Sequence, residues 1–239
     1  MDINGLQITA GQLLSLIFPA RCRLCGSAAR PREQLCSHCL DDLPWLQNSC
    51  NRCALPLPAA AGDSPCGRCQ QQPPGFDHAL ALFHYQPPLD YLIKRLKFNS
   101  ELAICALLSG LLANRIRNST GPLPDLLLPV PLHHTRLRER GFNQSTELAR
   151  RLGHALDIRV DFRLCMRTRS TLPQSLLPRA ERGKNMRGAF KVRKTLAATH
   201  IAIIDDVMTT GHTSSELARS LKQAGAKQVD VWVLARAGS

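Results

Sequence analysis

The chain has 239 residues, of which 44% are hydrophobic, so it can form one domain of ordinary size and a second small one. Its net charge of +13 favours partners that carry negative charge. No basic secretory region follows Met1, and the apolar stretch Leu13–Phe18 is far shorter than the roughly 20 residues of a membrane-spanning helix. The sequence therefore predicts a cytoplasmic protein with no membrane span.

Eight of the ten cysteines form four C-x-x-C knuckles near the N-terminus. Two such knuckles supply the four thiolates of one tetrahedral zinc ion, so four knuckles predict two structural zinc ions and a double zinc ribbon over residues 1–72. The predicted ligands are Cys22, Cys25, Cys36 and Cys39 for one ion, and Cys50, Cys53, Cys66 and Cys69 for the other.

The knuckle spacing leaves the pairing of these cysteines open. Sequential pairing is the simpler arrangement, but interleaved pairing fits the same spacing. Disulfides are disfavoured because the chain has the features of a cytoplasmic protein. Cys105 lies in an apolar helical stretch and is predicted to be a core residue, whereas Cys165 lies in a strand-like stretch.

The segment Gln70–Gly75 is rich in Pro and Gln and predicts a domain boundary, followed by an α/β domain over residues 76–239. Apolar runs, alternation and helical periodicity define its elements. Strands are predicted over 79–85, 126–130, 160–166, 188–192, 201–204 and 229–234, and helices over 89–118, 144–155 and 214–224.

Two loops of this domain are rich in arginine. The first, Pro129–Gln144, leaves a buried strand and contains Arg140; the second, Arg167–Arg187, has little apolar periodicity. Their cations suit a pyrophosphate group, and a long basic loop in a compact domain is often a lid. The predicted pyrophosphate ligands are Arg140, Arg182, Lys184 and Arg187.

Most of the positive charge lies around these loops. Residues 136–194 hold 16 basic and 5 acidic side chains, a net charge of +11. Such a surplus predicts binding of pyrophosphate, of single-stranded DNA, or of both. A solvated basic face that only aids solubility is the alternative.

The most informative motif is the run Ile201–Thr213, in which an apolar strand leads into two acids and a Thr/Gly loop. Asp205 and Asp206 are expected at the carboxyl end of a strand, where open α/β sheets bind ligands. The loop can surround an anion with backbone N–H groups at the start of the next helix. This order of residues favours a sugar phosphate.

This run resembles the PRPP-binding signature of type I phosphoribosyltransferases. The resemblance implies that Asp205 and Asp206 face the ribose hydroxyls and act in any catalysis, with Mg²⁺ bound alongside PRPP. It also implies that the loop holds the 5′-phosphate through Thr209, Thr210, Gly211, His212 and Thr213.

Several further motifs stand in one order: the knuckles, Lys97-Phe98, Arg140–Gln144, Arg182-x-x-Asn185, Ala189-Phe190 and the acidic run. This order resembles the ComF/GntX family, which combines a double zinc ribbon with a type I phosphoribosyltransferase fold, a mostly parallel sheet with a small hood. The resemblance implies a role in natural competence, in single-stranded DNA uptake or in DNA utilisation. It also implies that the ribbon docks a protein of the competence machinery.

The sequence leaves open whether the protein is an enzyme, because it identifies no acceptor for ribosyl transfer and no evident nucleophile. The alternative is a non-catalytic protein that binds single-stranded DNA or docks a partner on the same fold. Aromatic residues that can stack on bases are few: Phe142 and Phe190 are candidates, and Trp232 has the surroundings of a core residue.

Overall fold

The computed structural model describes residues 21–29, 34–59, 64–99, 101–169, 186–193, 196 and 199–238, without the side chains of residues 98 and 99. The chain divides into two compact units, residues 1–43 and 44–239. In the first unit, helix α1 spans Ser37–Asp41, and an isolated antiparallel bridge joins Arg21 to Ala28. Every element that follows belongs to the second unit.

The second unit contains a four-stranded sheet and a two-stranded sheet. The strands are β1 His78–His84, β2 Leu126–Pro129, β3 Cys165–Arg167, β4 Phe190–Val192, β5 His200–Met208 and β6 Gln228–Arg236. The larger sheet has the order β1-β6-β5-β2, with every neighbouring pair parallel, and β3 and β4 pair antiparallel.

The helices of this unit connect these strands. They are α2 Gly67–Gln71, α3 Leu89–Asn99, α4 Leu102–Arg117, α5 His134–Arg140, α6 Gln144–Leu156 and α7 His212–Gln223. The single helical stretch predicted over 89–118 is thus two helices. Among the described residues, no helix has the length and apolar character needed to cross a membrane.

The parallel sheet forms the core of the second unit. All four residues of β2 are buried, as are eight of the nine residues of β6, in keeping with strands covered on both faces. Leu148 and Leu152 of α6 and Leu217 and Leu221 of α7 are fully buried. The predicted fold class, a parallel α/β sheet flanked by helices and preceded in the chain by a zinc ribbon, is confirmed.

The strand predicted over 160–166 is reduced to β3. Val160 makes only an isolated bridge to Leu127. The Asp161 carboxylate then accepts hydrogen bonds from the N–H groups of Arg163 and Leu164, both at 2.9 Å. Such a side-chain-to-backbone bond stabilises a turn at the expense of a strand ladder, so the alternation of residues is misleading here.

The first basic loop contains helix α5, which the sequence did not predict. Gly141 ends it in the left-handed region at φ 73°, and its N–H donates to the Leu137 carbonyl at 2.9 Å. Asn143 then caps α6 by accepting from the Ser145 N–H at 3.0 Å. These two turns fix the position at which α6 begins.

Candidate functional site at the carboxyl end of strand β5

The acidic pair lies where β5 extends beyond its neighbour β2. Strand β2 ends at Pro129, which pairs with Ile204, whereas β5 continues to Met208. The sequence predicts that the strand ends at the acidic pair, whereas β5 continues past it. The pair lies directly after Ile204, the last residue of β5 that pairs with β2. On the other side, β6 still pairs with Asp205 through Val233.

Asp205 is half-buried beside the start of α6. The Ser145 hydroxyl donates to its Oδ1 at 2.8 Å, and the backbone N–H of Asp206 donates to the same atom at 3.0 Å. Burial, and then the charge of Asp206, raise the pKa of Asp205 above its ordinary value. Both hydrogen bonds use Oδ1, which leaves Oδ2 for a ligand.

Asp206 has different surroundings because successive side chains of a strand point to opposite faces of the sheet. It is buried, and its Oδ2 lies 2.6 Å from the ammonium group of Lys97 on α3. Burial opposes ionisation, but the Lys97 charge holds the pKa of Asp206 below its ordinary value. Asp206 is thus an ionised carboxylate with a cation already in contact.

The Thr209–Thr213 loop follows β5 and leads into α7. Gly211 adopts φ 79°, a conformation that residues with a side chain rarely adopt. A small pocket is lined by Asp205 and residues 207–214, so the structure brings one predicted acid and all five predicted phosphate-binding residues together. The Thr210 Oγ1 is buried and has no hydrogen-bond partner among the described residues.

Three arginines of β3 and α5 interact electrostatically with one another, and one of them, Arg167, also with Asp205. Burial and then the charge of Arg136 lower the pKa of Arg167, and Asp205 opposes that shift, which places Arg167 within electrostatic range of both. Burial and the charge of Arg140 likewise lower the pKa of Arg136. Arg136 and Arg140 stand one helical turn apart on α5, so the positive charge continues from Arg167 along this helix.

The remaining predicted pyrophosphate ligands are in the second basic loop. Arg187 is exposed, and its carbonyl accepts a hydrogen bond from Arg169 at 2.9 Å. The next residue, Gly188, donates its N–H to Glu216 of α7 at 2.6 Å. Arg182 and Lys184 lie outside the described residues.

The eight knuckle cysteines form two sets in the predicted sequential order, and no interleaved grouping occurs among the described residues. We call Cys22, Cys25, Cys36 and Cys39 the first cysteine set, and Cys50, Cys53, Cys66 and Cys69 the second. Within each set, the four Sγ atoms lie within 4.8 Å of one another.

The spacing of the sulfur atoms fits zinc. The Sγ atoms of Cys25 and Cys36, and those of Cys53 and Cys66, are 3.7 Å apart. Zn–S bonds of about 2.3 Å in a tetrahedron place sulfurs about 3.8 Å apart, whereas a disulfide needs about 2.05 Å. The Cys66 N–H donates to Cys50 Sγ at 3.2 Å, an arrangement that stabilises a thiolate. Both sets therefore have the geometry of structural zinc sites.

A groove lies between α5 and the small sheet. Its apolar and aromatic lining includes Phe162, Leu137 and Met166, which are 47%, 43% and 37% exposed, together with the half-buried Phe142. Arg167 and Arg193 line the same groove. Of the other stacking candidates, Phe190 and Trp232 are buried, as are Cys105 and Cys165.

Sequence reasoning missed several residues of this site. Lys97 stands in a family motif that assigns it no role, and Ser145 directly follows the Arg140–Gln144 motif. Arg167 was regarded only as the start of a loop. The available signal is position within a motif for Lys97 and position directly after one for Ser145.

The chain is similar to known proteins over nearly its whole length. A family of double zinc ribbon domains matches residues 13–70. DNA utilization protein YhgH of Salmonella typhi is 38% identical over 240 residues, which cover 99% of this chain and 99% of that protein. Competence protein F of Haemophilus influenzae is 33% identical over 231 residues, which cover 92% of this chain and 98% of that protein.

The solved structures that match include phosphoribosyltransferases. The purine phosphoribosyltransferase of Pyrococcus horikoshii matches with a TM-score of 0.34 and 18% identity, over 61% of this chain and 73% of that one. Family membership rests on the near-full-length identity to competence protein F and on the double zinc ribbon. The chain belongs to the ComF/GntX family of competence protein F-like proteins.

Proposed function

We propose that this protein binds PRPP or a related ribose phosphate, with Mg²⁺, in the pocket at the carboxyl end of β5, and that it serves DNA utilisation or natural competence in the cytoplasm. One observation carries the proposal. Asp205 and the Thr209–Thr213 loop line the same small pocket at the start of α7, so a hydroxyl acceptor and a phosphate cradle stand side by side.

Asp205 and Asp206 have different proposed roles because their surroundings differ. Asp205 keeps Oδ2 for a ribose hydroxyl or a hydrated cation, because Ser145 and the neighbouring N–H both use Oδ1. Asp206 already contacts Lys97 and holds this ammonium near the pocket. The negative charge of both acids favours a ribose that develops positive character, which is the electrostatic requirement of ribosyl transfer.

The cations of Arg167 and of α5 suit the pyrophosphate of PRPP. Arg167, Arg136 and Arg140 provide planar guanidinium groups that can bind phosphate oxygens in pairs. The Asp205 carboxylate is the oxygen ligand that the described residues offer Mg²⁺ here. When bound, the ion would neutralise part of the pyrophosphate charge. Arg182, Lys184 and Arg187 remain proposed as ligands from the second basic loop.

Calorimetry with Mg²⁺ and PRPP tests this site. We expect saturable heat for the wild type and none for Asp205→Ala or Asp206→Ala. Asp157→Asn removes an exposed acid at the C-terminal end of α6, the opposite end from Ser145, and is the matched control, which should bind as the wild type does. Absence of binding by the wild type would refute the PRPP site. Pyrophosphate release in the presence of candidate bases would then distinguish an enzyme from a protein that only holds the ligand.

A second function is favoured by the groove between α5 and the small sheet. Exposed Phe162 and half-buried Phe142 offer faces on which bases can stack, and Arg193 and Arg167 offer charge to the phosphates. We propose that single-stranded DNA binds there. The zinc ribbon remains the proposed docking site for a protein of the competence machinery.

A further inference from the structure

The second cysteine set and the Thr209–Thr213 loop are joined by buried hydrogen bonds. Arg236, the last residue of β6, is only 1% exposed. Its Nε donates to the carbonyl of Cys53 at 2.9 Å, and its Nη1 donates to the carbonyls of Met208, at 3.2 Å, and Thr209. One guanidinium therefore connects a cysteine knuckle to the start of the loop.

A second arginine makes the same connection from inside the other knuckle. Arg68 stands between Cys66 and Cys69 on α2, and its Nη2 donates to the carbonyl of Thr210 at 3.1 Å. The carbonyls of Met208, Thr209 and Thr210 thus all accept hydrogen bonds from two arginines that the second cysteine set positions.

A third connection reaches the first turn of α7. The N–H of Gly75 donates to the Ser215 hydroxyl at 2.8 Å. A Cβ at Gly75 would lie 2.4 Å from the Ser215 carbonyl oxygen, so the segment after α2 passes directly against this turn. The loop is therefore held at its beginning, at its middle and at the helix that follows.

The direction of these carbonyls determines where the loop amides point. In a trans peptide, the N–H points opposite to the C=O of the same unit. The carbonyls of 208, 209 and 210 face the arginines, so the N–H groups of Thr209, Thr210 and Gly211 face away from the second cysteine set. Among the described residues, none of these three N–H groups has a hydrogen-bond partner.

Charge adds to this arrangement. Cysteines that ligate zinc are thiolates, so a four-cysteine zinc site carries a net charge of about −2. Arg236 is a buried cation surrounded by carbonyl groups, and Arg68 lies within the knuckle itself. Zinc in the second cysteine set would give these two cations a counter-charge, which makes the arginine bridge more favourable than it is beside neutral thiols.

We propose that the second cysteine set, acting through Arg236 and Arg68, holds the Thr209–Thr213 loop in the conformation that accepts phosphate. Arg236 and Arg68 are positioning residues, and the second zinc site is part of the ligand-binding machinery. This inference rests on the proposed function for the ligand, but the coupling between the set and the loop stands on the protein alone.

Hydrogen exchange of the ligand-free protein tests the coupling. In Arg236→Lys, one ammonium cannot replace the guanidinium bridge. The amides of residues 215–218, of which Ser215 donates to the Gly211 carbonyl at 2.8 Å, should therefore exchange about tenfold faster or more, the factor that 1.4 kcal/mol represents, while those of β2 stay unchanged. Arg150→Ala, which removes an exposed arginine of α6 paired with Glu147, is the control and should leave residues 215–218 unchanged. Arg68→Ala alters a half-buried side chain and provides the answer if Arg236→Lys does not fold.

The cysteine variants provide the second arm. Cys66→Ser should accelerate exchange over residues 215–218 and weaken Mg²⁺–PRPP binding about tenfold or more, whereas Cys36→Ser in the first set should change neither. Unchanged exchange in Arg236→Lys, Arg68→Ala and Cys66→Ser would overturn the inference. If the wild type fails to bind PRPP while the exchange responses appear, the proposed ligand is wrong and the coupling stands.

Discussion

The ammonium nitrogen of Lys97 lies 2.6 Å from Oδ2 of Asp206, and the carboxylate is buried. The acid that follows Asp205 on β5 is therefore paired within the protein. The two acids have unlike surroundings, since Asp205 contacts a hydroxyl and a backbone N–H. Their substitutions should consequently have different effects.

Lys97→Met should destabilise the protein by about 3 kcal/mol, because it leaves a buried carboxylate without its partner. We place the loss at the lower end for buried pairs since the Lys97 side chain keeps 22% exposure. Urea unfolding measures the effect. The double variant Lys97→Met/Asp206→Asn should recover most of it, and equal stability of Lys97→Met and the wild type would contradict the pairing.

Asp205→Asn should abolish Mg²⁺–PRPP binding and raise the free energy of unfolding at pH 7. Asparagine keeps an oxygen that can accept from Ser145, but it removes a charge that burial and Asp206 disfavour. We expect a gain of about 0.5–2 kcal/mol, the range of single stabilising substitutions. A variant that is less stable than the wild type at this pH would show that the Asp205 charge is favourable.

The stability difference between Asp205→Asn and the wild type should depend on pH. The pKa of Asp205 is raised in the folded state, so the folded protein binds more protons than the unfolded chain above about pH 4. The tighter proton binding of the folded state stabilises the wild type at low pH, and this stabilisation is lost as pH rises toward the raised pKa of Asp205. The variant has no carboxyl group at this position and shows no such loss. Urea unfolding of both proteins from pH 4 upward should show the difference growing from near zero; a constant difference would refute the shift.

Metal analysis should find about two zinc ions per chain in the wild type and about one in Cys36→Ser or Cys66→Ser. Cys66→Ser should lower the melting temperature of the unit 44–239 by more than Cys36→Ser does, because the second cysteine set is buried in that unit. Recovery of disulfides in place of metal from protein purified under reducing conditions would contradict both zinc sites.

Binding of single-stranded DNA should weaken as salt increases. Arg193→Ala should lower the slope of log affinity against log salt by about 0.7, the value for one phosphate contact on a single strand. Phe162→Ala should leave this slope unchanged and cost about 1–3 kcal/mol, as expected for a lost stack.

Arg115→Ala is the matched control for the DNA measurements, because it removes an exposed cation from α4, whose residues do not line the groove. Its affinity and its slope should equal those of the wild type. If Arg115→Ala and Arg193→Ala weaken binding equally, the attraction is a general effect of net charge and the groove is not the DNA site.

Local patterns predicted most of the fold. The apolar run of β5 and the helical spacing of α6 and α7 each agree with the burial observed, because periodicity reports the buried face directly. The knuckles likewise predicted both cysteine sets, since zinc imposes its own spacing.

The contacts between distant segments were not predictable in the same way. Arg236 and Cys53 are 183 residues apart in the chain, and Lys97 and Asp206 are brought together only by the packing of α3 beside β5. No local pattern carries such information. The turn at Asp161 also escaped prediction, because one carboxylate that accepts two N–H groups outweighs an alternating sequence.

Strand β5 extends four residues beyond its last pairing with β2 but keeps β6 along its other edge. The segment that bears Asp205 is thus paired with a strand on one side only. On its other side, the Ser145 hydroxyl at the start of α6 donates to Asp205. Changes in the length of the connection between β2 and α6 can therefore reshape the pocket wall while leaving the pairing of β5 with β6 untouched. Divergence among relatives in the ligand they accept is expected to concentrate in that connection.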